Sequence, residues 1–198
     1  MKNISVMVSG GGTNLQAVID SVKDGRIPDA RIALVLSSRD GVYSLERARK
    51  AGIRTVVISK DEYPDEEAKT VAILAALTEA QTDLVVMAGY MSILSPRVPQ
   101  AYAGRIINIH PALLPRHGGP GYYGLHVHEA VIAAGDTESG ATVHYVTDGE
   151  VDSGEIIRQE RVPVLAGDTP ETLQQRVLTV EHRILPEAAA LVLQKLFR

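Results

Sequence analysis

The chain has no cysteine, so disulfide bridges, thiol catalysis and cysteine-ligated metal sites are excluded. It also has no apolar run of the length that a membrane crossing needs, and its first residues predict a strand rather than a signal peptide. Long blocks of like charge are absent, and the net charge of -4 argues against a nucleic-acid surface. We therefore expect a soluble cytoplasmic protein that binds small molecules, with no membrane or nucleic-acid partner, as a monomer or a homodimer.

Apolar strands alternate with amphipathic helices along the 198 residues, a length that suits one domain. Such alternation predicts right-handed crossovers and a doubly wound sheet. Two late strands joined by a long polar tip predict an antiparallel hairpin. We therefore expect an α/β fold with a mostly parallel, Rossmann-like sheet and a C-terminal antiparallel hairpin, as a single domain over residues 1–198. The predicted strands span residues 3–8, 31–36, 54–58, 83–88, 106–110, 140–146 and 155–162. The predicted helices span residues 15–22, 44–51, 64–80, 125–134, 171–185 and 186–197.

Two of these helices carry more detailed predictions. The helix over residues 64–80 places Val71, Leu74 and Leu77 on one predicted apolar face. Pro186 predicts a break between the last two helices, because proline cannot donate the backbone hydrogen bond of a helix interior.

Residues 105–120 contain the strongest candidate for chemistry. Side chains alternate along a strand, so Asn108 and His110 share one face and Ile109 takes the other. Pro111 discourages continuation of the strand. An amide that stabilises an oxyanion beside an imidazole that moves a proton suits acyl transfer. The alternative interpretation is a polar pair that only caps a strand end.

Residues 9–14, Ser-Gly-Gly-Gly-Thr-Asn, join the first strand to the first helix. A glycine-rich turn before a helix aims backbone N–H groups at an anion. No Gly-Lys-Ser/Thr of a P-loop follows, and Leu15 occupies the third glycine position of the dinucleotide fingerprint. A phosphate monoester on a small substrate is therefore favoured over NAD. The alternative is a glycine turn followed by a helix cap from Thr13 or Asn14.

Residues 89–94, Gly-Tyr-Met-Ser-Ile-Leu, follow the fourth predicted strand. Ligands of open α/β sheets bind beyond the carboxyl ends of the strands, so this segment suits a pocket for a flat heterocycle. For Ile93 and Leu94, packing against the next helix is the favoured interpretation.

His126 and His128 lie two residues apart in a predicted helix. That spacing does not place them on one helical face, and no carboxylate and cysteine set completes a metal shell. We interpret them as polar residues of the helix start or of the preceding loop and predict no metal site.

Three motifs stand in the order found in the glycinamide ribonucleotide formyltransferases. They are Ser-Gly-Gly-Gly-Thr-Asn-Leu-Gln at 9–16, Asn-Ile-His-Pro-Ala-Leu-Leu-Pro at 108–115 and Asp-Ser-Gly-Glu-Ile-Ile at 152–157. The chain resembles this folate-dependent family over nearly its whole length. The Asn-x-His…Asp set is shared with other folate formyltransferases, and the glycine-rich loop narrows the resemblance.

The resemblance implies transfer of a formyl group from the co-substrate 10-formyltetrahydrofolate to an amine, without a metal. Asn108 would hydrogen-bond the tetrahedral oxyanion. His110, held protonated by Asp152, would stabilise that oxyanion and supply a proton, so activity should fall as pH rises. A carboxylate beside an imidazole does raise the imidazole pKa.

The resemblance also implies two binding regions. The ribonucleotide would contact four residues, Gly12, Thr13, Asn14 and Glu181. The folate would contact eight residues, Met91, Ser92, Ile93, Leu94, Asn108, Thr147, Asp148 and Val151.

The chain departs from the family pattern in three places. Many members have arginine where this chain has Ser92, and an arginine near Glu66, so the folate glutamate tail would be held differently. The tip of the hairpin, residues 144–152, is about one residue longer than expected. Residues 118–124 form a longer loop than in many members, and we interpret this loop as a flap over the substrate.

Two other functions fit part of this sequence. One is formyl transfer to another amine, such as that of a sugar nucleotide. The other is a non-catalytic nucleotide-binding Rossmann-like domain, in which Asn108, His110 and Asp152 would have no joint role.

Overall fold

A computed structural model describes residues 1–198, and its centre is one seven-stranded sheet with the strand order β3-β2-β1-β4-β5-β6-β7. The neighbouring strands from β3 to β5 pair in parallel, whereas β5–β6 and β6–β7 pair antiparallel. This confirms the predicted doubly wound sheet and its C-terminal hairpin. The strands are β1 Lys2–Val8, β2 Ala30–Ser37, β3 Thr55–Val57, β4 Leu84–Met87, β5 Ile106–His110, β6 Glu138–Tyr145 and β7 Ile156–Pro163.

Helices cover both faces of the sheet. They are α1 Thr13–Lys23, α2 Tyr43–Lys50, α3 Glu66–Glu79, α4 Arg97–Ala101, α5 Leu125–Ala133 and α6 Pro170–Leu196. The apolar core on one face includes residues of α1, α2, α5 and α6, and the core on the other face includes residues of α3 and α4. Because central strands are buried on both faces, their sequences are apolar throughout, as in β4. No helix combines the length and the apolar character that a membrane crossing requires.

The predicted apolar face of α3 is wrong in part. Leu77 is buried, but Val71 is 49% exposed, and Thr70 and Ile73 take the inward positions instead. Apolar and small residues occupy most faces of α3 itself, so the helical period is compatible with more than one buried face. Packing against the sheet decides which face is buried.

The predicted break at Pro186 is also wrong, because α6 is one helix of 27 residues with Pro186 inside it. Proline removes one backbone hydrogen bond. The neighbours Ile184, Leu185, Ala188 and Ala189 are all buried, and their packing holds the helix together across that position. The short helix α4 was not predicted.

Candidate active site

A cleft of about 440 Å³ opens beyond the carboxyl ends of β4 and β5. Its wall includes residues of α6 and of four segments that lie at strand ends or in loops, within residues 89–94, 108–111, 119–124 and 144–152. Open parallel sheets bind ligands at this edge, because the loops that follow neighbouring strands meet there. The structure thus brings together parts of the chain that are far apart in sequence.

Asp152 lies at the centre of the polar end of this cleft. Its carboxylate accepts a hydrogen bond from the backbone N–H of Gly119 at 3.0 Å and lies 3.4 Å from His110 Nδ1. Asn108 Nδ2 is also 3.4 Å from Asp152 Oδ1. Asp152 has a left-handed backbone, with φ of 59°, which is uncommon for a residue other than glycine. Tertiary contacts therefore hold this carboxylate beside the two polar residues at the end of β5.

The pKa values of this group follow from burial and from neighbouring charges. Burial raises the pKa of the Asp152 carboxyl, but the imidazoles of His144 and His110 and the N–H of Gly119 lower it by more, so its pKa lies below its usual value. Asp152 is therefore ionised at neutral pH.

Burial lowers the pKa of His110 by more than the Asp152 carboxylate raises it. The expectation that Asp152 holds His110 protonated is therefore wrong, because that expectation omitted desolvation. His110 Nε2 donates to the backbone carbonyl of His117 at 2.7 Å, which assigns the proton of the neutral ring to Nε2. The other nitrogen, Nδ1, is the one that is free to accept a proton.

His144 orients the Asn108 amide, a role that was not predicted from the sequence. In the antiparallel register of β5 and β6, Asn108 pairs with His144. His144 Nδ1 donates to its neighbour's carbonyl, that of Tyr145, at 2.9 Å, and its Nε2 lies 3.2 Å from Asn108 Nδ2 and 3.4 Å from Asp152 Oδ1. The predicted register of the hairpin against β5 was the signal that could have revealed this residue.

Glu181, on α6, also belongs to the wall of the cleft and is only 5% exposed. Asn14 Nδ2 donates to Glu181 Oε2 at 2.6 Å, while the buried Asn14 Oδ1 has no partner. Burial raises the pKa of Glu181 to about 7, although the hydrogen bond from Asn14 lowers it. The structure therefore joins two of the four residues predicted for the ribonucleotide.

The glycine-rich loop lies beside this pair and begins α1. The residue before the helix is Gly12, with φ of 74°, and no side chain caps the helix, so the interpretation of a Thr13 or Asn14 cap is wrong. A Cβ atom on Gly12 would lie 2.6 Å from Ser44 Cβ, so the position requires glycine. Gly12 and Thr13 do not belong to the wall of the main cleft, and Thr13 is exposed.

The other end of the cleft is apolar and open. Seven of the eight residues predicted for the folate contribute to the wall, and the exception is Asp148, which accepts from Gln100 Nε2 at 3.0 Å. Met91 is 45% exposed and Ile93 72% exposed. The prediction that Ile93 packs against the next helix is therefore wrong, whereas Leu94 does pack against the core.

Similarity to known proteins identifies the family to which the chain belongs. A profile described as formyl transferase matches residues 2–189 of the chain. The chain belongs to the formyl transferase family. A similar protein is phosphoribosylglycinamide formyltransferase of Escherichia coli strain K12, 44% identical over 184 residues that cover 93% of this chain and 84% of that protein.

A second relative of this formyl transferase chain is much longer. The trifunctional purine biosynthetic protein adenosine-3 of Drosophila pseudoobscura pseudoobscura is 46% identical over 192 residues, which cover 96% of this chain but only 14% of that protein. Among solved structures, glycinamide ribonucleotide transformylase 1 from Symbiobacterium toebii superposes with a TM-score of 0.92 at 44% identity, covering 98% of this chain and 89% of that chain.

The two histidines of α5 differ in this formyl transferase chain. His126 is exposed and its Nδ1 lies 3.0 Å from Glu129 Oε2. His128 is buried in the wall of the cleft, its Nδ1 has no partner, and burial lowers its pKa to about 4. Both histidines lie in the first turn of α5, as the helix-start interpretation requires, but only His126 is exposed to solvent.

Proposed function

We propose that the chain transfers the formyl group of 10-formyltetrahydrofolate to the amine of glycinamide ribonucleotide, giving formylglycinamide ribonucleotide and tetrahydrofolate in purine biosynthesis. One observation carries this proposal. In a formyl transferase chain, an oriented amide and a proton-accepting imidazole share one cleft with a buried carboxylate, those of Asn108, His110 and Asp152.

The residues of the polar end suit each part of the reaction. The substrate amine attacks the formyl carbon, and the carbonyl electrons move to its oxygen. The Asn108 amide contacts both His144 and Asp152, and the N–H at the longer distance, 3.4 Å from Asp152 Oδ1, turns to donate to that oxyanion. His110 Nδ1 takes the proton of the attacking amine, and the resulting imidazolium lies beside the Asp152 carboxylate. Collapse of the oxyanion breaks the bond to the folate nitrogen, which receives the proton from His110.

The glycine-rich side suits the ribonucleotide. Gly12 and Thr13 begin α1, and backbone N–H groups at a helix start favour a phosphate. Asn14, in the first turn of α1, and its partner Glu181 both belong to the cleft wall, so they would contact the part of the substrate between phosphate and amine. The unpartnered Asn14 Oδ1 is an acceptor for a substrate donor.

The apolar end suits the pterin of the folate. Met91, Ile93 and Val151 present exposed apolar surface around the opening, and a bound heterocycle would cover it. Ser92 and Leu94 complete one wall, and Thr147 the other. The loop over residues 118–124 brings Tyr122 and Tyr123 to the same cleft, as a flap over the substrate would require.

The test is a turnover assay with purified protein, glycinamide ribonucleotide and 10-formyldideazafolate, following release of the deformylated folate analogue. We expect release that depends on the ribonucleotide and is abolished in Asp152→Asn. Asp61→Asn is the control, because Asp61 is an exposed carboxylate outside the cleft wall. Release without the ribonucleotide would indicate a hydrolase. Binding of the folate without release would indicate that the acceptor is another amine. Absence of both release and folate binding would indicate a non-catalytic domain.

A further inference from the structure

Both ring nitrogens of His110 face oxygen atoms. Nδ1 lies 3.4 Å from Asp152 Oδ2, and Nε2 donates to the backbone carbonyl of His117 at 2.7 Å. The Asp152 carboxylate has a role in the proposed reaction. The His117 carbonyl makes the shorter contact with His110, but the proposed reaction gives it no role. A carbonyl that accepts from an imidazolium stabilises the charged ring, because hydrogen bonds to an ionised donor are the stronger ones.

His117 is held in place by its side chain. Its backbone is left-handed, with φ of 52°, an uncommon conformation that needs support from its surroundings. Its Nε2 lies 2.7 Å from Asp136 Oδ2, and the Asp136 side chain is only 9% exposed. The ring also packs edge-on against Tyr122 of the loop, with 5.9 Å between ring centroids.

Asp136 is itself anchored just after α5. Its backbone N–H donates to the carbonyl of Val131 at 3.2 Å, and its other carboxylate oxygen accepts from the exposed Arg116. The hydrogen bond from the His117 side chain, above all, lowers the pKa of the Asp136 carboxyl, so this anchor is an ionised acceptor. A continuous series of contacts thus leads from α5 through Asp136 and His117 to His110.

We propose that Asp136 and His117 are positioning residues for formyl transfer. The Asp136 carboxylate holds the His117 ring, and the His117 carbonyl then fixes the proton of neutral His110 on Nε2. This arrangement keeps Nδ1 free for the substrate proton and stabilises the imidazolium that results. The kinetic part of this proposal rests on the proposed function, but the position of the proton can be measured without turnover.

The groups around His110 belong to four parts of the fold. Asp152 faces it from the hairpin tip, His117 from the loop after β5, His144 from β6 and His128 from α5. Substitution of Asp136 leaves each of these four side chains in the protein. A change in the tautomer or the pKa of His110 would therefore indicate that the His117 carbonyl has moved.

The experiment compares the full chain with Asp136→Ala by NMR of ¹⁵N-labelled histidine rings, which shows which nitrogen carries the proton at each pH. In the unsubstituted protein we expect one tautomer, with the proton of His110 on Nε2. In Asp136→Ala we expect a mixture of tautomers and a pKa of His110 lower by about one. We expect kcat to fall roughly tenfold, with KM for both substrates within about twofold.

Glu138→Ala is the matched control. Glu138 lies two residues after Asp136 and forms an exposed ion pair with Arg161 at 2.9 Å. Its substitution should leave kcat and the tautomer and pKa of His110 unchanged. Asp136→Asn keeps an oxygen that accepts from His117 and should restore most of the tautomer preference. If Asp136→Ala does not fold, His117→Asn replaces it, because asparagine tolerates the left-handed backbone but removes the imidazole.

The outcomes separate the two proposals. An unchanged tautomer and pKa of His110 in Asp136→Ala, or an equal change in Glu138→Ala, would overturn the role of Asp136 and His117. An altered tautomer in a chain whose unsubstituted form shows no formyl transfer would support the positioning of His110 and overturn the proposed function.

Discussion

The two ends of the cleft are built in opposite ways. At the polar end, His110 is 4% exposed, and its ring, the Asn108 amide and the Asp152 carboxylate are fixed by neighbouring groups. At the apolar end, Met91 is 45% exposed and Ile93 72% exposed. Fixed dipoles stabilise developing charge because they need no reorganisation during the reaction. Exposed apolar side chains instead gain contact when a ligand covers them. The polar end should therefore determine kcat, and the apolar end should determine KM for the folate.

The largest expected effect is that of Asn108→Ala at the polar end. Removal of an oriented oxyanion donor should lower kcat on the order of a hundredfold or more, with KM for both substrates changed far less. Steady-state kinetics with each substrate varied in turn measures this. A loss confined to KM would show that Asn108 binds substrate without acting in the transition state, and would remove the contrast between the two ends.

The next prediction concerns Glu181→Gln on the ribonucleotide side. It tests whether burial of the Glu181 carboxyl makes the free energy of unfolding depend on pH. Because burial raises the pKa of Glu181 from 4.5 to about 7, the folded chain retains a proton that the unfolded chain releases. This stabilisation is full below about pH 4.5 and is lost as pH rises to about 7. Between pH 4.5 and pH 7, the free energy of unfolding of Glu181→Gln should therefore rise relative to that of the unsubstituted chain, by on the order of 3 kcal/mol.

Denaturant unfolding of both proteins between pH 4.5 and pH 8 measures this difference. Glu187→Gln is the matched control, since Glu187 is a half-exposed carboxylate on the same helix. A difference between wild type and Glu181→Gln that is the same at every pH would contradict the raised pKa.

The smallest expected effect is that of Met91→Ala at the apolar end. Loss of part of the contact with the pterin should raise KM for the folate roughly fivefold and leave kcat nearly unchanged. The control is Val71→Ala, which removes a similarly exposed apolar side chain on α3, outside the cleft wall. A fall in kcat comparable with that of Asn108→Ala would show that both ends act on the transition state.

Local patterns of apolar residues, glycine and proline were enough to predict the order of the strands and most of the helices. The sequence also predicted that Asn108 and His110 share one face of a strand that ends before Pro111, since alternation is a property of any strand. The motifs of residues 9–16, 108–115 and 152–157 were sufficient to predict the family, and the family match confirms that prediction.

The chemistry of the polar end depends on contacts between residues that are distant in the sequence. The contact of Asp152 with His110 joins residues 42 positions apart, and the one between Asn14 and Glu181 spans 167 positions, so no local pattern predicts either distance. The pKa of His110 was predicted in the wrong direction because desolvation depends on packing from several segments at once. The same reason applies to the buried face of α3 and to the continuation of α6 through Pro186, since burial by the sheet outweighed the local preference in both helices.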